Sequence, residues 1–114
     1  MANRILIAEI FQDDSGNCYL NMSPNKMRIH TGDNVAIIVR QGNVPSAQSS
    51  QVAISFNFTS GSCPFSTTPS PSGNINEVIS IGAIQAQSGD VEYTITVSYG
   101  GNDYTEDPKI SINN

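Results

Sequence analysis

The chain has 114 residues, with ten acidic side chains against five basic ones, a formal net charge of −5 and an isoelectric point near 4.4. So few and so scattered are the Lys and Arg that neither nucleic acid nor an anionic membrane is expected as a partner, since both need clustered positive charge. Only 13% of the residues are charged, so Ser, Thr, Asn and Gln must cover the surface, which suits a hydrogen-bonded partner, protein or glycan, and equally an inert β-domain.

The length fits a single domain over residues 1–114, large enough to bury a core without a metal or a disulfide staple. At the start, Ile5-Leu6-Ile7-Ala8 is interrupted by Glu9. That run is too short for a signal-peptide apolar region, and no transmembrane run follows, so the chain reads as cytoplasmic as written or as a mature form whose leader was removed. Asn3 to Phe11 predicts a strand whose two faces are both largely covered, with Ile5, Ile7 and Phe11 on one parity and Leu6, Ala8 and Ile10 on the other.

Gln12 to Asn17 is a turn, because Asp and Asn bond their own backbone and Gly16 accepts positive φ. Cys18 to Met22 resumes as a strand, Pro24 marks a break or an edge, and Lys26 to Ile29 continues extended. His30 to Asn34 turns the chain into the strand Val35 to Arg40, with Val35, Ile37 and Val39 on one side. Val44 to Ser50 reads as a loop and Gln51 to Thr59 as a strand, with Val52, Ile54, Phe56 and Phe58 alternating against polar residues.

Ser60 to Asn74, interspersed with prolines and hydroxyl residues and carrying an exposed Phe65, is the longest expected irregular stretch. Ile75 to Ile84 is a strand because β-branched residues dominate. The clearest element is Val91 to Tyr99, where Val91, Tyr93, Ile95, Val97 and Tyr99 alternate with Glu92, Thr94, Thr96 and Ser98. Its apolar face should pack against that of the Val52 strand, with the Tyr93 hydroxyl at the rim of the core. Gly100 to Glu106 leaves this strand, and Pro108 to Asn113 ends the chain with Ile110 and Ile112 alternating.

Seven or eight short strands without helical periodicity predict an all-β, antiparallel Greek-key sandwich, cupredoxin-like or immunoglobulin-like. Ser23-Pro24 and Met27 to Val35, with Gly32-Asp33 opening the next strand, together with Gly89 to Val97 and Asp107 to Ile112, resemble the pattern of the cupredoxin family. The resemblance implies a Greek-key β-sandwich. It also implies a thiolate at the end of the late strand, where Val97 stands here. Blue copper needs two imidazoles and a thiolate, and the chain has only His30, placed before the Gly-Asp turn. A copper-free relative is therefore expected, with no cofactor.

Gly100 to Asp107 is the best candidate site, because Asn102, Asp103, Glu106 and Asp107 supply oxygen donors beside an aromatic, Tyr104. Hard cations take six to eight oxygens, so calcium held by Asp103, Glu106 and Asp107 is one reading, and a plain hairpin loop with Tyr104 free is the other. Asp13 to Asn17 lacks the spacing of an EF-hand loop. Cys18 and Cys63, if bridged, would close a loop of about 46 residues, worth roughly 4 kcal/mol in the chain-entropy account. Without a leader, two reduced thiols are expected. No nucleophile elbow accompanies any serine. A non-catalytic binding or assembly module is the expectation, with a calcium-assisted carbohydrate-binding domain as the alternative and homo-oligomerisation left open.

Overall fold

The structure is a computed structural model that describes residues 3–44, 51–65, 70–85 and 87–113. Among them are the strands β1 (Asn3–Gln12), β2 (Cys18–Ser23), β3 (Lys26–His30), β4 (Asn34–Gln41) and β5 (Gln51–Ser60). The remainder are β6 (Ser72–Asn74), β7 (Val78–Ala83), β8 (Gly89–Tyr99), β9 (Asn102–Glu106) and β10 (Lys109–Asn113). The first sheet has the order β2-β1-β4-β7, and the second the order β3-β10-β8-β5-β6 with β9 also paired to β8. The expected all-β sandwich is observed. Most pairings are antiparallel, whereas β1–β4 and β3–β10 are parallel.

Period-two burial builds the core from both sheets. Leu6, Ala8 and Ile10 of β1 and Val35, Ile37 and Val39 of β4 face Val52, Ile54 and Phe56 of β5 and Val91, Tyr93, Ile95 and Val97 of β8, all buried. Phe58 is half-buried. Across β5 and β8 the register pairs Ile54 with Val97 and Phe56 with Ile95, so the two clearest amphipathic strands are neighbours within one sheet. Their apolar faces meet the first sheet together.

The segment after β8 differs from expectation. Gly100 and Gly101 have φ of 60° and 82°, both positive, as a two-residue type I′ turn requires. One register then runs from Tyr99↔Asn102 through Ile95↔Glu106 to Glu92↔Lys109 and Gly89↔Ile112. β9 and β10 are thus one return strand, interrupted at Asp107 and Pro108, where proline has no N–H to give the ladder. The Pro108 carbonyl still accepts from the Tyr93 amide at 3.2 Å. The long loop expected over Gly100 to Asp107 is therefore a tight turn followed by strand.

Between β5 and β7 two more segments differ from expectation. Ser72–Asn74 is a strand because it pairs with Gln51, Val52 and Ala53. Phe65, expected exposed, is 1% exposed; it bridges to Ile84 and packs beside Phe56 and Phe58 at 5.8 and 6.0 Å between ring centroids. The Gln85 side chain donates to its carbonyl. Beyond Val44, the loop expected up to Ser50 lies outside the described residues, as do positions 66–69.

Candidate interaction surface

Asn102, Asp103, Tyr104 and Glu106 lie on β9, and Asp107 directly follows it. Alternation sends Asp103 and Asp107 to one face of the sheet and Tyr104 and Glu106 to the other. Tyr104 is 1% exposed, not free, because its parity in the paired strand points inward. Its hydroxyl accepts from Gln12 Nε2 at 3.2 Å.

The carboxylates are engaged separately. Asp103 Oδ1 accepts from Ser98 Oγ at 2.6 Å, Asp107 Oδ1 from Thr94 Oγ1 at 2.7 Å, and Glu106 Oε1 from the Asp107 amide at 2.8 Å. Among the described residues, no group of three or more His, Cys, Asp or Glu is placed to hold a metal ion. The three donors nominated for calcium are spread along a strand and over its two faces, whereas a hard cation needs its oxygens to converge.

The other singled-out residues also serve local structure. Asp13 Oδ1 accepts the amides of Ser15 and Asn17, both at 2.9 Å, and Oδ2 accepts from the Asn17 side chain and the Tyr19 hydroxyl, both at 3.0 Å. These donors, the Asn17 amide first, hold the Asp13 carboxyl below the usual aspartate range. His30 is exposed, and its amide rather than its ring donates to Asp33 Oδ2 at 3.0 Å. Asp33 is 4% exposed and lies 3.6 Å from Arg4 Nε. Cys18 and Cys63 are half-buried and unbridged.

The outward face of the second sheet is polar. Ser55, Thr96 and Thr105 share one row across β5, β8 and β9, and Asn57 and Thr94 lie in the next. Beside them, Gln51, Ala53, Ser72, Asn74, Ser98 and the Gly100-Gly101 turn line a shallow groove. Its hydroxyl and amide lining agrees with the composition.

The outward face of the first sheet is different. In register across β1, β4 and β7 lie Ile7, Ile38 and Val78, and in the adjacent row Ile5, Ala36 and Ser80. Val78 is 62% and Ile5 45% exposed, while Ile7, Ala36 and Ile38 are partly exposed. On the other side of the Ile7 row stand Glu9 and Arg40, register partners that are both exposed. Neither side chain makes a hydrogen bond or ion pair among the described residues. Phe11 and Tyr19 stack at 5.3 Å and extend the face along β1 and β2. The apolar residues on both parities of β1 were the signal for this surface, and they pointed to a second covered face. Ala36, Ile38 and Val78 join it only through the pairings of β4 with β1 and β7.

No protein-family model matches the chain, and no curated protein matches it in sequence. Among solved structures it is similar to native pseudoazurin from Hyphomicrobium denitrificans, at 18% identity and a TM-score of 0.41, covering 95% of this chain and 74% of that one. It is also similar to Fet3p, a multicopper oxidase that functions in iron import, at 10% identity and a TM-score of 0.44, covering 100% of this chain and 23% of that one. A third is the Cu-containing nitrite reductase (NirK) from Thermus scotoductus SA-01, at 16% identity and a TM-score of 0.41, covering 98% and 28%.

A blue-copper ion does not fit the donors present. The chain's one histidine lies exposed on β3, where two imidazoles and a thiolate are needed, and Val97, to which the sequence resemblance would assign the thiolate, is wholly buried in the core. No helix is long and apolar enough to cross a membrane among the described residues.

Proposed function

We propose that this domain is a non-catalytic binding or assembly module that docks its partner on the outward face of the first sheet. The supporting observation is the adjacency of Ile5, Ile7, Ala36, Ile38 and Val78 over three hydrogen-bonded strands. Single apolar side chains are ordinary on a protein surface, but a contiguous patch rimmed by polar residues marks a place where another surface sits. A rigid sheet presents such a patch without any ordering cost in its backbone.

The reading is tested with an environment-sensitive dye, anilinonaphthalene sulfonate, and the double variant Ile5→Asp with Val78→Asp. Native wild-type protein should enhance the dye's fluorescence, and the variant should not, with its melting temperature little changed because both residues are outside the core. Equal fluorescence from the two proteins would remove the docking face.

A further inference from the structure

We infer that the occupant of this face is a second copy of the same chain, stacked sheet on sheet about a two-fold axis parallel to the strands and running between β1 and β4. The inference rests on the docking face proposed above and adds its partner.

The central strands of this face are complementary to themselves. An isologous contact requires each row of a surface to match its own reverse. The proposed axis exchanges β1 with β4 and leaves every row at its own level. On the two central strands Ile7 of one copy then faces Ile38 of the other and Ile5 faces Ala36, so apolar meets apolar, while on the outer strands Val78 faces Ser23 of the second copy. In the next row Glu9 faces Arg40 of the second copy and Arg40 faces its Glu9, which makes two opposite-charge contacts per dimer. The register of β1 on β4 thus supplies the charge complementarity. Had the register been shifted by two residues, the same axis would have set Glu9 against Ile38 and Arg40 against Phe11, or Glu9 against Gly42 and Arg40 against Ile7, and no charge would meet its opposite.

Packed sheets lie about 10 Å apart, a gap that a glutamate and an arginine can span together, and the usual inclination of about 30° between them leaves rows near the axis opposed. Neither side chain is committed within its own copy, so neither has to give up a bond to meet the other. The area is modest. Four strands at about 4.8 Å spacing, over about eight residues at about 3.3 Å, present roughly 500 Å² per copy. Two such faces bury roughly 1,000 Å², the lower bound for a specific interface, so the dimer is a weak and reversible one.

The experiment is sedimentation equilibrium of the whole chain from about 5 μM to about 1 mM, on the wild type, Glu9→Arg, Arg40→Glu and the double swap. Both residues are exposed, and circular dichroism verifies that each variant is folded. Wild type should pass from monomer to dimer over this range. Each single swap should weaken the dimer at least ~10-fold by setting like charges opposite one another, and the double swap should return it to within ~3-fold of wild type.

A wild type that stays monomeric throughout, a dimer indifferent to the single swaps, or single-swap losses that the double swap does not recover would each overturn the inference. Monomer with the dye response intact would leave a docking face for a different protein. Monomer with no dye response would remove the face as well.

Discussion

Gln12 donates its side-chain amide to the Tyr104 hydroxyl at 3.2 Å, tying the last residue of β1 in one sheet to β9 in the other. Tyr104→Phe keeps the ring and loses the acceptor, and should cost about 1 kcal/mol. Tyr104→Ala also empties a buried site, for a loss of about 3–5 kcal/mol. Urea unfolding of both variants checks the pair, and a loss under about 1 kcal/mol for Tyr104→Ala would contradict the burial of β9's inward face.

Tyr93 should respond with the opposite sign. Its hydroxyl is buried without a partner among the described residues, deep beside Phe56 and Phe58 rather than at the rim of the core, and burial pushes the phenol well above its ordinary pKa. Tyr93→Phe removes an unsatisfied polar atom at almost no change in shape and should stabilise the domain by about 1 kcal/mol. The measurement is the same urea midpoint, and a clear destabilisation would reveal a hydrogen bond to that hydroxyl.

For the acidic strand β9, millimolar calcium should leave the melting temperature of the wild type unchanged, because a ligand raises it only by binding the native state. Asp107→Asn should still accept the Thr94 hydroxyl and melt close to wild type, with or without calcium. A calcium-dependent rise in melting temperature that Asp103→Asn and Asp107→Asn abolish would restore the cation site.

Asp13 sets a pH dependence. Its carboxyl is held low in the folded protein by the Asn17 amide and the donors around it. The native state therefore favours the ionised form, and this contribution is fully present above about pH 4 and lost as pH falls through the depressed folded value. Asp13→Asn should lower stability at pH 7 and shrink the difference between urea midpoints at pH 7 and about pH 2.5. An unchanged difference would mean that other carboxylates carry the acid limb.

The fold was legible where alternation is strong. Val52, Ile54 and Phe56, and Tyr93, Ile95 and Val97, declare their buried face by period two alone, and both sets are in the core. β9 was hidden because Asn102, Asp103, Thr105 and Glu106 look like loop residues. It is a strand because the Gly100-Gly101 turn returns the chain alongside β8 and Tyr104 is buried. β6 has no apolar side chain at all and exists only through its pairing with β5. Phe65 was masked by the prolines around it. For the candidate surface, the aliphatic residues on both parities of β1 were readable, but their alignment with Ile38 depends on the parallel β1–β4 register and that of Val78 on the antiparallel β4–β7 pairing, neither of which a local pattern encodes.

The position of β10 between β3 and β8 bears on how the chain acquires its shape during synthesis. Lys26 to His30 precede most of the other strands, yet among the described residues their only strand partner is Lys109 to Asn113, which follows all of them. The β8–β9 hairpin can zip locally, whereas β3 must wait until the other described strands have been made, and such distant closures slow folding. Over that interval the alternating Met27 and Ile29 and an unpaired strand edge are open to neighbouring chains. Crowding of nascent chains, rather than any weakness of the finished core, is therefore where aggregation of this domain should arise.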